Sequence, residues 1–210
     1  MLPASIKPES SFAAEVAALA GDGFDLCFQC GKCSAGCPVS FAMDLAPHQV
    51  IRMVQYGQEE AVLSSATIWV CASCQTCTTR CPNEVDLAHL MDCLRQLALE
   101  AGVPPAEPKV ATFHRCFLDS LASYGRVHEF SMIGRYKVRS GGLLGDARAS
   151  INEWREGRMG LIESLAKSDA FAEMRMGLDM VRRGKLRLLP HKVRGLDALK
   201  GVFADARKRA

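Results

Sequence analysis

"CFQCGKCSAGCP" occupies residues 27–38, and "CASCQTCTTRCP" repeats its spacing at residues 71–82. Both read C-x2-C-x2-C-x3-C-P, with the two first cysteines 44 residues apart. Three thiols this close cannot spread around a wide cage, so they close on one corner of a compact group. The proline after each fourth cysteine fixes its own φ and restricts the backbone of the cysteine before it. This is the spacing of iron–sulfur loops whose fourth cysteine ligates the other of two clusters. It assigns Cys27, Cys30, Cys33 and Cys81 to one 4Fe–4S cluster, and Cys71, Cys74, Cys77 and Cys37 to a second. Zinc and disulfides are the competing uses. Structural zinc favours separated C-x2-C pairs in tetrahedral sites, and disulfides need an oxidising compartment.

The residues between the cysteines fit the cluster reading. Gly31, Ser34, Ala35 and Gly36 are small enough for backbone N–H groups to approach sulfur. Ala72, Ser73, Thr76, Thr78 and Thr79 do the same in the second loop, less permissively. Such N–H···S bonds, with burial, set a cluster's reduction potential.

Outward from the loops the chain reads as mainly α. "SFAAEVAALA" places Phe12, Val16 and Leu19 on one helical face. "DLAPHQVIRMVQYGQ" carries a Val50, Ile51, Val54 stripe, with Pro47 suited to its first turn and Gly57 to its end. "EEAVLSS" reads as a short helical turn. The clearest helix is "NEVDLAHLMDCLRQLALEAG", with Asp86 as N-cap, Leu87, Leu90, Met91, Leu94 and Leu97 as its stripe, and Gly102 as its stop. The proline-rich "VPPAEP" at 103–108 marks a boundary between an N-terminal region, 1–103, binding both clusters and a helical C-terminal docking region, 104–210. In the latter, Val110, Phe113, Phe117 and Leu121 share one helical side. Residues 148–183 read as mostly helical, and "LDALKGVFADARKR" as a final helix. "TIWV" and "KLRLL" are the only β-like runs.

Composition narrows the function. Of the 210 residues 49% are hydrophobic, and the net charge of +3 is too small to argue for nucleic acid. The charge is uneven: residues 171–210 hold eleven Lys/Arg against four Asp/Glu, a basic tail suited to an acidic partner or to solvent. No secretory signal and no membrane-length apolar run is visible, so a cytoplasmic protein is expected. Thiols stay reduced there, which disfavours disulfides among ten cysteines.

Other candidates carry less. Cys93 and Cys116 lie within helices away from the loops and read as buried thiols acting as small hydrophobes. The five histidines, His48, His89, His114, His128 and His191, show no metal-ligand spacing. Gly141, Gly142 and Gly145 do not form a dinucleotide fingerprint. No catalytic residue is assigned, and no independent catalytic site is expected.

With its two loops set between helices, "CFQCGKCSAGCP…CASCQTCTTRCP" resembles the C subunit of heterodisulfide reductase and its homologues in the heterodisulfide-reductase-like complexes of sulfur-oxidising bacteria. "SYGRVHEF" and "RRGKLRLLPHKVRG" resemble that family's downstream segments. The resemblance implies an α-helical ferredoxin domain with two 4Fe–4S clusters and a helical extension. It also implies an electron-transfer subunit relaying between a flavin- and cluster-bearing A-type subunit and a catalytic B-type subunit. Some relatives are fused to membrane spans, which this sequence lacks. An Arg/Ala-rich composition, with seventeen Arg to nine Lys, tilts the reading toward bacterial sulfur oxidation over methanogenesis. The iron–sulfur subunit of a glycolate, glycerol-phosphate or fumarate-linked flavoenzyme is the remaining alternative. Those subunits usually add a plant-type ferredoxin domain or further cysteine-rich domains, and neither is visible here.

Overall fold

The structure is a computed structural model that describes residues 10–142, 152, 155, 169–185 and 189–209. Among the described residues there is no strand, and the fold is α-helical. The chain divides into two compact units, Met1–Val110 and Ala111–Arg209.

In the first unit, α1 (Ser10–Ala20) leads through a 3-10 turn (Asp22–Leu26) into the first cysteine loop, which contains the short α2 (Lys32–Ala35). Next come a 3-10 turn (Ser40–Ala42), α3 (Pro47–Gln55), α4 (Glu59–Leu63) and α5 (Thr67–Val70). The second loop contains α6 (Thr76–Arg80), and α7 (Leu87–Glu100) closes the unit. Helix α7 is the hub, packing on α1, α4, α5 and α6, while α3 packs on α1, α2 and α4. Its stripe of Leu87, Leu90, Met91, Leu94 and Leu97 is buried, together with Phe12 and Val16 of α1 and Val50, Ile51 and Val54 of α3. At about 1.5–3 kcal/mol for each large apolar side chain removed from water, this core is what holds the loops in place. Leu19, read as part of the α1 stripe, remains 40% exposed.

Helix starts in this unit are capped from a distance as well as locally. The Asp86 carboxylate accepts the His89 N–H at 3.1 Å, as its N-cap position implies. Helix α3 has Pro47 at its first position, and Ser34, from the first cysteine loop, accepts the His48 N–H at 3.1 Å. Helix α5 is capped by Asp44, over twenty residues upstream. Its Oδ2 accepts the Ala66 N–H at 2.8 Å, and its Oδ1 accepts the Thr67 N–H at 2.9 Å and the Thr67 hydroxyl at 2.7 Å. This corrects the reading of "TIWV": the segment is a helical turn with Thr67, Ile68 and Trp69 buried. The cap from Asp44 outweighs the β preference of its residues, which is a weak and context-dependent quantity.

The second unit contains α8 (Pro108–Tyr124), which starts just before the division, α9 (Glu129–Arg139), α10 (Asp169–Arg182) and α11 (Leu196–Arg209). Phe113 and Phe117, expected on the stripe of α8, are 41% and 38% exposed. Cys116 and Ser120 are the buried residues instead. Polar contacts explain this. The Ser120 hydroxyl accepts the His128 N–H at 2.9 Å, and Asp119 accepts from Arg139 at 2.6 Å, so α9 crosses on the Cys116–Ser120 side. Phe113 still meets Tyr136 edge-on, with centroids 5.8 Å apart. Gly125 takes φ +74° where the Val193 N–H reaches the Tyr124 carbonyl at 3.0 Å, and a Cβ there would collide with Val193. Most of the strand-like "KLRLL" and part of the 148–183 helical reading lie outside the described residues.

Candidate metal centre

The two cysteine loops share one backbone course. Gln29 and Ser73 both adopt positive φ, 63° and 48°, as do Gly31 and Gln75, at 74° and 63°. Each left-handed pair is followed by a helical turn, α2 in one loop and α6 in the other. Positive φ two and four residues after the first cysteine folds the chain back so that all three sulfurs face the same side. Non-glycine residues accept that conformation reluctantly. Its presence at Gln29, Ser73 and Gln75 marks a geometry imposed by the loop.

Helices α2 and α6 pack together. Gly36 lets them approach: a Cβ there would lie 2.5 Å from an Arg80 guanidinium nitrogen. The Asn83 side-chain amide also donates to the carbonyl of Leu26, joining the end of the second loop to the start of the first. Behind the second loop, Arg95 donates to the carbonyls of Cys71, at 2.6 Å, and Ile68, and it pairs with Asp92 at 2.8 Å. Asp92 in turn accepts the Ser73 hydroxyl at 3.1 Å.

Two cavities open between the loops, with about 370 and 330 Å³ of empty space when the solvent at their mouths is included. Cys27, Cys30, Cys33 and Cys81 line the smaller one. Cys37, Cys71, Cys74 and Cys77 line the larger. Cys77 and Leu87 border both, so the cavities share a wall. The larger cavity therefore draws three cysteines from the second loop and Cys37 from the first, and the smaller draws three from the first loop and Cys81, with the shared Cys77, from the second. All ten cysteines are unbridged.

The donor set suits an iron–sulfur cluster. Four cysteines line the larger cavity and five the smaller, and apolar side chains such as Leu87, Met91, Ile51 and Val85 make up much of the remaining walls. Among the described residues no three His, Cys, Asp or Glu side chains gather as ligands of one metal ion. A cubane cluster needs a looser arrangement, with each cysteine on a different iron. Burial raises the pKa of Cys33, Cys71 and Cys77, while the Thr76 hydroxyl, 3.3 Å from Cys74 Sγ, lowers that of Cys74. Ligation takes the thiolate, so loading the buried sites releases protons. Cys30 and Cys74 are the exposed members, one per loop.

Sequence reasoning missed several groups around these cavities. The Gln29 amide donates to Cys27 Sγ at 3.3 Å. Ser34 Oγ lies 4.0 Å from Cys33 Sγ and 2.7 Å from His48 Nδ1, and His48 lines the smaller cavity. Lys32 lines it too. Position in the repeat is the signal that could have found Lys32, because Thr76 stands 44 residues later on the wall of the other cavity. Cys93 is buried, with its thiol pushed up by burial and 3.6 Å from His89 Nε2. Cys116 is buried beside Arg139. Neither lines a cysteine cavity.

Residues 23–85 match the family model described as a 4Fe-4S dicluster domain. The chain is 32% identical over 106 residues to the C subunit of the H(2):CoB-CoM heterodisulfide,ferredoxin reductase of Methanothermobacter marburgensis, covering 50% of this chain and 57% of that protein. It is 37% identical over 81 residues to the C subunit of the ferredoxin:CoB-CoM heterodisulfide reductase of Methanosarcina acetivorans, covering 39% and 32%. Over 88 residues it is 33% identical to the iron-sulfur C subunit of the CoB--CoM heterodisulfide reductase of Methanopyrus kandleri, covering 41% and 46%. The chain spans about half the length, or less, of these curated relatives. The chain thus carries a 4Fe–4S domain, and over as much as half of its length it is homologous to the C subunits of heterodisulfide reductases.

Proposed function

We propose that this chain is the electron-relay subunit of a cytoplasmic heterodisulfide-reductase-like complex, passing electrons between a flavin- and cluster-bearing A-type subunit and a catalytic B-type subunit. The observation that supports this reading is the pair of adjoining cavities, each lined by three cysteines of one loop together with the fourth-position cysteine of the other, Cys81 in one and Cys37 in the other, with Cys77 on the wall they share. On this reading Cys27, Cys30, Cys33 and Cys81 hold one 4Fe–4S cluster, and Cys71, Cys74, Cys77 and Cys37 hold a second. Such clusters take up and give back single electrons. The protein supplies the thiolates, the hydrogen bonds from Gln29 and Thr76, and the aliphatic walls. The shared wall at Cys77 and Leu87 keeps the two sites adjacent, as a relay requires. Phe28, beside the first site in sequence, and Leu26 are about 60% exposed and offer an apolar rim to a partner. The helical region from residue 104 onward is assigned to partner docking. No helix among the described residues is long and apolar enough to cross a membrane.

Within that family we assign the chain to the sulfur-oxidising bacterial branch, on its Arg/Ala-rich composition. The methanogen branch is the second reading, favoured by the relatives' names, which are those of CoB-CoM heterodisulfide reductases. The test is anaerobic co-expression with candidate A- and B-type subunits from the same genome. A brown ternary complex whose B-type subunit is reduced only when this chain is present supports the relay. A chain that binds neither subunit refutes it. Activity on sulfur-carrier substrates rather than a coenzyme disulfide decides between the branches.

A further inference from the structure

The two cavities are built alike except in charge. Both sit behind a left-handed pair and a short helix, and both have one exposed and three half-buried cysteines. Hydrogen bonding to sulfur is nearly balanced: the Gln29 amide reaches Cys27 at 3.3 Å and Ser34 Oγ lies 4.0 Å from Cys33 on one side, and the Thr76 hydroxyl lies 3.3 Å from Cys74 and Thr78 bonds Cys77 on the other. At the first position of α2, Lys32 lines the smaller cavity, with its side chain otherwise exposed. The equivalent position of α6 is the neutral Thr76. Cysteines aside, no ionisable group lines the larger cavity, and no carboxylate lines either. Arg95, which acts on Cys71 at the larger cavity, is paired with Asp92 at 2.8 Å and engaged by two carbonyls. Arg80 does not separate the two sites: it precedes Cys81 in sequence, while its guanidinium lies over Gly36, next to Cys37.

We propose that Lys32 makes the Cys27/Cys30/Cys33/Cys81 site the more readily reduced of the two, so that the first electron to enter the relay rests there. The inference depends on the two-cluster reading above. A cluster on four thiolates is an anion, and reduction adds one negative charge. A fixed cation nearby stabilises the reduced form more than the oxidised form, which raises the reduction potential. For one partly solvated charge at a cavity rim, Coulomb's law gives a factor of about three to ten in the equilibrium. A tenfold change for one electron reads as about 59 mV. The electron itself comes from a one-electron donor, such as a partner subunit's reduced flavin or cluster, or dithionite in the test.

The test is a dithionite titration of the full chain, prepared anaerobically with its iron and followed by electron paramagnetic resonance. Two midpoint potentials are expected. Lys32→Gln should lower the upper one by a three- to tenfold shift in equilibrium and leave the lower one in place, while Lys32→Arg should restore it. Thr76→Lys, compared with the neutral Thr76→Gln, should raise the lower potential by a similar factor. Unchanged potentials in Lys32→Gln, or equal shifts at both sites, would overturn the inference while leaving the two clusters standing. A preparation with full cysteines and no iron would instead overturn the reading on which it rests.

Discussion

Asp44 joins the segment between the loops to the helix that delivers Cys71, and its replacement measures how far the protein itself, apart from any metal, holds the second loop. Its carboxylate accepts four hydrogen bonds, from the N–H groups of Leu45, Ala66 and Thr67 and from the Thr67 hydroxyl, at 2.7–2.9 Å. Removing a helix cap costs about 0.5–2 kcal/mol. Charge-assisted bonds would add to this, but Asp44 is exposed, so about 1–2 kcal/mol is expected for Asp44→Ala. Asp44→Asn keeps an acceptor at the Oδ1 position and should lose about half as much. For a unit of this size 1 kcal/mol shifts Tm by about 4–8 °C. The pH dependence gives a second handle. Burial pushes the Asp44 carboxyl up, but the bonds from Thr67, Ala66 and Leu45 outweigh it, and the net shift is downward. A depressed carboxylate contributes stability above its unfolded pKa, about 3.9. That contribution fades as the pH falls from there through the folded value. Anaerobic urea unfolding of wild type and both variants, followed by circular dichroism from pH 7 down to about 3.5, reads all of this. Asp44→Ala should be the least stable at pH 7, and its gap to wild type should begin to narrow below about pH 4. A variant as stable as wild type at pH 7, or a gap that widens on acidification, would refute the capping argument.

Further outcomes follow from particular contacts. Gly36→Ala should cost under about 1 kcal/mol, because only the flexible end of Arg80 must move. The cost should vanish in an Arg80→Ala background, read as a double-mutant coupling in urea unfolding. Ser120→Ala leaves the buried His128 N–H without its acceptor and should destabilise the second unit by about 1–3 kcal/mol, measured by thermal melting. Cys37→Ser should deplete the cluster at Cys71, Cys74 and Cys77 more than its neighbour, seen as a selective loss of one of two reduced-state resonance signals. Loss of the other signal would reverse the crossing assignment.

The 4Fe–4S domain was legible because its signature is local: spacing, small residues and a terminal proline are all written within twelve residues. Helix α7 was legible for a similar reason, with its cap and its stripe both contained in one segment. What escaped was nonlocal. "TIWV" is helical because Asp44 caps it from more than twenty residues away, and no pattern within four residues encodes that. Ser34 serves the start of α3 in the same manner. Phe113 and Phe117 fit a helical stripe, yet Ser120 and Asp119 decide which side of α8 meets α9. Lys32 was visible as a letter in the repeat, but its position on a cavity wall emerged only once the cavity was formed.

The most direct test of the central claim is the metal content of the full chain purified without oxygen. Two clusters predict about eight irons and eight acid-labile sulfides per chain, with a broad brown absorbance that bleaches on reduction. Four irons, or zinc in their place, would contradict the account.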